Sequence, residues 1–187
     1  MRVCVVGTGY IGLPTALMLA SHGVDVEAVG HHQSTVDKLR SGNVTFEEKG
    51  LPELFEQARE INSAMPAYVL DRIESVMEEK GLRDYSRIGL YGLTYKENVD
   101  DTRESPTLQL LEVMERRGLP APIVYDPMVS VKKAERQCFD YQEFLDGADI
   151  IVILVGHSHI KENLDTLKGR TVLDTRSIIQ DGSAYTL

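Results

Sequence analysis

Three groups of residues in this sequence have types and spacing suited to chemistry. The first is Gly7, Gly9 and Gly12 in the run GTGYIG, with Tyr10 and Ile11 between them. In that pattern the first glycine permits a tight turn and the second lets the backbone approach a pyrophosphate. The third lets the following helix pack close to a strand. Amides at the start of that helix would face phosphate oxygens with a partial positive charge. The second group lies in GLTYKENVDDTRESP, where Lys96 and Arg103 precede a helix start. Two cations beside a helix N-terminus suit an anion, and Asp100 and Asp101 stand close enough in sequence to orient Arg103. The same residues also suit a plain surface ion-pair loop. The third group is His157 and His159. Alternate histidines can ligate a metal, but no cysteine or carboxylate is spaced with them, so no metal site is assigned.

The glycine turn has an expected companion, an acidic residue about 20 positions on that bonds the adenosine ribose. Here the sequence reads VGHHQ, and His31 occupies that place. A neutral imidazole cannot act as a bidentate anionic acceptor, whereas a protonated one would favour a 2′-phosphate. The cofactor expected is therefore NAD, with NADP as an alternative. An exposed loop histidine with no ligand is the plain reading of His31. The cysteines are Cys4, inside the first expected strand, and Cys138, in ERQCFDY. Neither has an obvious base in local sequence, so no catalytic residue is assigned.

The elements that must position these groups alternate between strand and helix. Val3 to Val6 reads as a short buried parallel strand. A helix over Thr15 to His22 stops at Gly23, and Val24 to Val29 forms a second strand. Ser34 and Asp37 have the spacing of a capping box for a helix ending near Gly42. A loop with Gly50 leads to a short acidic helix over Glu53 to Arg59. Asn62 or Ser63 caps another helix, where Met65, Val69, Ile73, Val76 and Met77 form one stripe. The rhythm then restarts. Strands are expected at Arg87 to Leu93, Ile123 to Tyr125, Ile150 to Val155 and Thr171 to Asp174, the third of these central. Ser105 and Pro106 read as N-cap and first turn of a helix running to Arg117. The class is α/β, with Rossmann-like parallel sheets, flanking helices and two strand–loop–helix units, beginning at Val3 and at Arg87, on either side of a helix. The boundaries are 1–60 for a partial NAD-binding unit, 61–84 for the connecting helix and 85–187 for a second domain.

Composition narrows the function classes. The net charge of −9 argues against nonspecific nucleic-acid binding, which needs a basic face. No apolar run approaches the ~20 residues of a membrane span. The N-terminus carries a single basic residue ahead of a strand and does not read as a signal peptide. Two cysteines outside any Cys-x-x-Cys pair fit a reducing compartment, so a cytoplasmic location is expected. A two-stranded N-terminal unit cannot close a stable sheet alone. It either joins the later strands in one composite sheet or pairs with another chain, and its open edge predicts a homodimer.

The runs VCVVGTGYIGLPTALMLA, GLTYKENVDDTRESP, VYDPMV, ADIIVILVGH and VLDTRSII together resemble the UDP-glucose/GDP-mannose dehydrogenase family. Within it, the UDP-N-acetylmannosamine and UDP-N-acetylglucosamine 6-dehydrogenases are the most similar. INSAMPAYVLDRI resembles the start of the helix joining that family's two nucleotide-binding domains. The resemblance implies oxidation of a UDP-sugar C6 hydroxyl to the carboxylate, with two hydride transfers to NAD, in polysaccharide precursor synthesis. It implies that the glycine turn binds NAD and that Lys96 contacts the nucleotide sugar. Arg103 would reach the cofactor, and Arg176 would lie on the sugar-nucleotide side. Arg176 also has a plain alternative, as a strand-end residue paired with Asp174. The family's chemistry uses a cysteine nucleophile in a Gly/Pro-rich loop, assisted by a lysine and an asparagine from mid-chain. None of these motifs occurs in this sequence, and the flanking family sections join near Ala58–Arg59. The expectation is a shortened, catalytically impaired relative, with a non-catalytic nucleotide-binding or dimerisation module as the alternative.

Overall fold

The computed structural model of the chain describes residues 2–43 and 51–187. The position expected to turn at Gly50 lies outside the described residues. The chain divides into two compact units, Met1–Met65 and Pro66–Leu187.

The first unit contains β1 (Arg2–Val6), α1 (Gly12–Ser21), β2 (Asp25–Val29) and α2 (Gln33–Arg40). The two strands pair in parallel, with Cys4 beside Glu27 and Val6 beside Val29. Helix α1 begins three residues before Thr15, because the carbonyls of Gly9 and Ile11 accept the amides of Leu13 and Thr15. It ends as the sequence predicts. Gly23 takes a φ of +76°, and its amide and that of Val24 bond the last turn at Ala20 and Leu19. The capping box is corrected. His32 is the N-cap of α2 and Ser34 lies within the helix. Asp37 accepts from Gln33 Nε2 at 2.8 Å, so its carboxylate is engaged by the residue before Ser34 and not by the Ser34 amide that a box requires.

The burial expected of β1 is also corrected. Its residues alternate between exposed and half-buried, because Leu13, Ala16 and Leu17 of α1 are buried against one face only. The other face carries Arg2, Cys4, Val6, Glu27 and Val29, all exposed.

Helix α3 (Leu51–Lys80) runs unbroken through the division between the units. The two separate helices expected here are therefore one, and neither Asn62 nor Ser63 is a cap. Pro66 lies inside it and removes a single bond, the one its amide would make to Asn62. The stripe that follows compensates. Val69, Leu70, Ile73, Val76 and Met77 are all buried, and full burial of such side chains contributes roughly 1.5–3 kcal/mol each.

The second unit holds a five-stranded sheet, ordered β4-β3-β5-β6-β7 and parallel throughout. Its strands are β3 (Ile88–Tyr91), β4 (Ile123–Tyr125), β5 (Ile150–Ile153), β6 (Thr171–Asp174) and β7 (Tyr185–Thr186). β5 is interior, as its apolar run predicts. β7 was not anticipated, since two residues carry no periodic signal. It is held to α3 by Arg72 Nε, which donates to the Thr186 carbonyl at 2.8 Å, and by the Tyr185 hydroxyl, which donates to Glu79. The β1–β2 pair forms its own sheet among the described residues, so the composite-sheet alternative is not the one adopted.

Both faces of the larger sheet are covered, which is why β3 and β5 are buried at every residue. On one face Leu90, Val152 and Leu173 pack with the α3 stripe and with Leu110 and Met114 of α4 (Pro106–Arg116). On the other, Tyr91, Ile151 and Val172 pack with Phe144 of α5 (Tyr141–Gly147) and Ile160 of α6 (Ser158–Glu162). β4 and β5 lie on opposite sides of β3. That reversal of strand order puts a topological switch point at the carboxyl end of β3, where open α/β sheets bind ligands.

Candidate functional site

In the first unit the glycine turn has the form a pyrophosphate needs. Gly7 sits at φ +101°, in the left-handed region. A Cβ on Gly12 would stand 1.7 Å from the Gly7 carbonyl oxygen, so helix and turn meet there without room for a methyl group. Gly9 faces open space within 4 Å, which leaves its backbone approachable. Ile11 is the N-cap of α1 and offers no side-chain bond, so the first amides of the helix are not capped by it. Tyr10 and Ile11 are exposed at 71% and 83%. His31 follows β2 and is exposed, as the strand-end acid would be. These residues fit a dinucleotide diphosphate, with an imidazole where a carboxylate would meet the ribose.

In the second unit the parallel strands deliver their following loops to one edge. Lys96 and Arg103 follow β3, Asp126 follows β4, His157 follows β5 and Arg176 follows β6. Ser105 caps α4 through Leu108 N–H, and Thr107 Oγ1 donates to the Gly92 carbonyl, tying the helix start to the end of β3. Lys96 is exposed. Arg103 is bidentate on Asp101, with Nε at 2.9 Å and Nη2 at 2.7 Å, as the sequence suggested for an oriented guanidinium. The bond to Asp101 holds the Arg103 pKa above its ordinary value. Arg176 is exposed, and its amide rather than its guanidinium is what Asp174 accepts, at 2.8 Å. Asp174 also accepts from Ile178 and Ile179 N–H and so shapes the turn after β6.

The feature that sequence reasoning missed is a buried polar cluster between these loops. Asp126 accepts from Leu93 N–H, from Thr94 N–H at 3.1 Å, from His157 Nε2 at 3.1 Å and from Met128 N–H at 2.7 Å. Burial opposes its charge, but the bonds from His157, Leu93 and Met128 outweigh that and hold its pKa below the usual carboxylate value. His157 is fully buried and is no open metal ligand, and among the described residues no group of three His, Cys, Asp or Glu could hold a metal ion. His159 turns the other way, stacking on Tyr91 with Nδ1 3.1 Å from its hydroxyl. One signal for the cluster was available. An Asp directly after one strand and a His just after another converge if those strands flank β3, but strand order is not written in either motif.

Neither cysteine is set up as a nucleophile. Cys138 is buried, donates to the Val124 carbonyl at 3.5 Å and is pushed by burial, then by nearby Glu143 and Asp140, to a pKa of about 11. Cys4, expected inside a buried strand, is exposed on the open face of β1. A disulfide-exchange reagent should therefore titrate one thiol rapidly in the folded protein and the second only after denaturation. Cys4→Ser should remove the fast phase. Two fast thiols in the native state would contradict this assignment.

Comparison with known proteins agrees with both halves. Residues 1–67 match the NAD binding domain of the UDP-glucose/GDP-mannose dehydrogenase family, and residues 89–181 match its UDP binding domain. The chain belongs to the UDP-glucose/GDP-mannose dehydrogenase family. Among its relatives, an NDP-N-acetyl-D-galactosaminuronic acid dehydrogenase of Ralstonia nicotianae is 35% identical over 131 residues, 67% of this chain and 30% of that protein. A UDP-N-acetyl-D-mannosamine dehydrogenase of Methanococcus maripaludis is 32% identical over 160 residues, 81% of this chain and 36% of that protein. The structure of a UDP-D-ManNAc dehydrogenase from Pyrococcus horikoshii superposes with a TM-score of 0.62 at 26% identity, covering 94% of this chain and 44% of that one. This dehydrogenase-family chain thus spans about a third of the length of the curated relatives it matches. Among its described residues no helix is long and apolar enough to cross a membrane.

Proposed function

We propose that this chain carries the two nucleotide-binding halves of an NAD-dependent UDP-sugar 6-dehydrogenase and does not complete the oxidation by itself. The reading is carried by one observation. A glycine turn with an open approach at Gly9 and a sheet edge bearing Lys96, Arg103 and Arg176 occur in one chain, in family order. Residues 1–60 hold NAD through Gly7, Gly9, Tyr10, Ile11 and Gly12. Residues 61–84 connect, and residues 85–187 take a UDP-sugar of the UDP-N-acetylmannosamine type. Lys96 and Arg176 bind the sugar nucleotide and Arg103 serves the cofactor. When bound, NAD would accept hydride from C6 of the sugar. Conversion of the resulting aldehyde to the acid requires a nucleophile that can trap it, and neither Cys4 nor the buried Cys138 fills that role.

Calorimetric titration with NAD, NADP, UDP-N-acetylmannosamine and UDP-glucose tests the binding half. Heats of binding for a dinucleotide and a UDP-sugar are expected, with UDP-N-acetylmannosamine the tighter of the two sugars. NADP should bind at least as well as NAD, because His31 offers no carboxylate to repel a 2′-phosphate. A clear preference for NAD would remove that role from His31, and silence towards every ligand would defeat the reading. The open edge of β1 supports self-association in the same reading. Sedimentation should give a dimer at micromolar concentration, and a monomer would count against it.

A further inference from the structure

The buried cluster behind Lys96 has a geometry that core filling does not require. His157 Nδ1 lies 2.9 Å from the backbone nitrogen of Asn98. That amide can only donate, so Nδ1 carries no proton and the ring holds its hydrogen on Nε2. Nε2–H faces Asp126 Oδ2 at 3.1 Å and Thr94 Oγ1 at 3.2 Å. Thr94 Oγ1 donates its own proton to the Lys96 carbonyl at 2.9 Å, which leaves it an acceptor towards the ring. Asn98 itself sits in the left-handed region, at φ +60°. Its side chain clasps Ser158, donating to Oγ at 3.0 Å and accepting from the amide at 2.9 Å. The segment Leu93–Asn98 is thus fixed at Leu93, Thr94, Lys96 and Asn98, all through Asp126 and the 157–158 pair or through Thr94. Within it the Lys96 side chain is exposed.

We infer that His157 is a positioning residue: with Asp126 it holds the Leu93–Asn98 segment in the one shape that aims the Lys96 ammonium at a bound UDP-sugar. The inference rests on the proposed role of Lys96. It assigns His157 no contact with the ligand. A flexible lysine on an unfixed segment would lose much of its binding advantage to ordering cost, and a fixed segment meets that cost in the folded state. The ring does this with two nitrogens of opposite character. One accepts from the far end of the segment, and the other donates to the carboxylate that holds the near end.

Two measurements on the full chain test it. Trypsin cleavage after Lys96 reports the segment directly, without any ligand. In His157→Phe, which keeps a ring and loses both polar contacts, cleavage there should quicken by about 10-fold. His157→Asn, which keeps an acceptor for the Asn98 amide, should lie nearer the parent. Circular dichroism and melting of each variant establish that it folds. Titration with UDP-N-acetylmannosamine then gives a double-mutant cycle. His157→Phe should weaken binding about 10-fold with Lys96 present, and less than about 2-fold in a Lys96→Met background. Equal losses in the two backgrounds, or unchanged cleavage after Lys96, would overturn the inference. If the parent bound no UDP-sugar, the role of Lys96 and the ligand half of the inference would fall. The cleavage assay would still decide whether His157 fixes the segment.

Discussion

Replacing Gly12 by alanine is expected to abolish dinucleotide binding and to unravel the first unit, whereas replacing Gly9 should abolish binding alone. At Gly12 the new methyl carbon would fall 1.7 Å from the Gly7 carbonyl oxygen and 2.8 Å from its carbon. Those are backbone atoms of a turn already at φ +101°, so the clash cannot be relieved by a side-chain rotation. Overpacking against side chains costs roughly 1–3 kcal/mol, and a rigid backbone neighbour puts this case at or above about 3 kcal/mol. The unit has a two-stranded sheet, and among its described residues the buried apolar side chains are Leu13, Ala16 and Leu17, so it has little reserve to absorb such a loss. Hydrogen exchange should show the amides of β1 and α1 losing protection while those of β3 and β5 keep theirs. At Gly9 the added methyl meets nothing within 4 Å, so exchange should match the parent. It would occupy the side from which a pyrophosphate approaches, and NAD heats should vanish. A Gly9→Ala protein that binds NAD normally would show that the turn only packs the sheet.

The second large effect is expected at Asp126. Its carboxylate accepts four hydrogen bonds, from the Leu93, Thr94 and Met128 amides and from His157 Nε2. Asparagine has nearly the same shape but only one acceptor oxygen. Whichever way the amide is turned, its NH2 faces a buried donor, and each donor left unsatisfied costs about 1–3 kcal/mol. Asp126→Asn should therefore lose about 3 kcal/mol, which for a unit of this size lowers the melting temperature by roughly 6–12 °C. The same residue sets part of the acid behaviour. Its folded pKa lies below the unfolded value, so its contribution is complete above about pH 4 and is lost as pH falls through the folded value. His159 acts in the same direction at higher pH. Burial depresses its pKa, so the stability it contributes is present above about pH 6.5 and declines below it. Stability of the parent should thus fall in two steps on acidification, and Asp126→Asn should shrink the lower one, to which Asp84, Asp165 and Asp181 also contribute. A variant that melts within a degree or two of the parent would show that the cluster carries no load.

Much of this was written locally. The glycine turn, the Ser105–Pro106 start of α4 and the apolar run of β5 each carry their own signal within a few residues, and each forms as expected. Arg103 and Asp101 are two positions apart, so their pairing was also legible. Failures came where partners are distant or a local signal has competition. The Val3 to Val6 run says that the strand is apolar but not how many layers cover it, and among the described residues of its unit the buried side chains that pack on it come from α1. Asn62–Ser63 ahead of Pro66 imitates a helix start, yet buried residues from Val69 onward carry the helix through the proline. The Asp126–His157 pair is separated by 31 residues and meets only because β4 and β5 flank β3. That order is a property of the sheet, so His157 could be weighed from sequence only against metal binding.

Under the proposed function this chain is expected to bind what its family binds without finishing the reaction. The most direct test is to mix the protein with NAD and UDP-N-acetylmannosamine and follow nicotinamide absorbance over hours. Parallel calorimetry should confirm that both ligands are bound. Bound ligands and no steady reduction are expected. Sustained formation of two NADH per UDP-sugar, with the uronate as product, would contradict it.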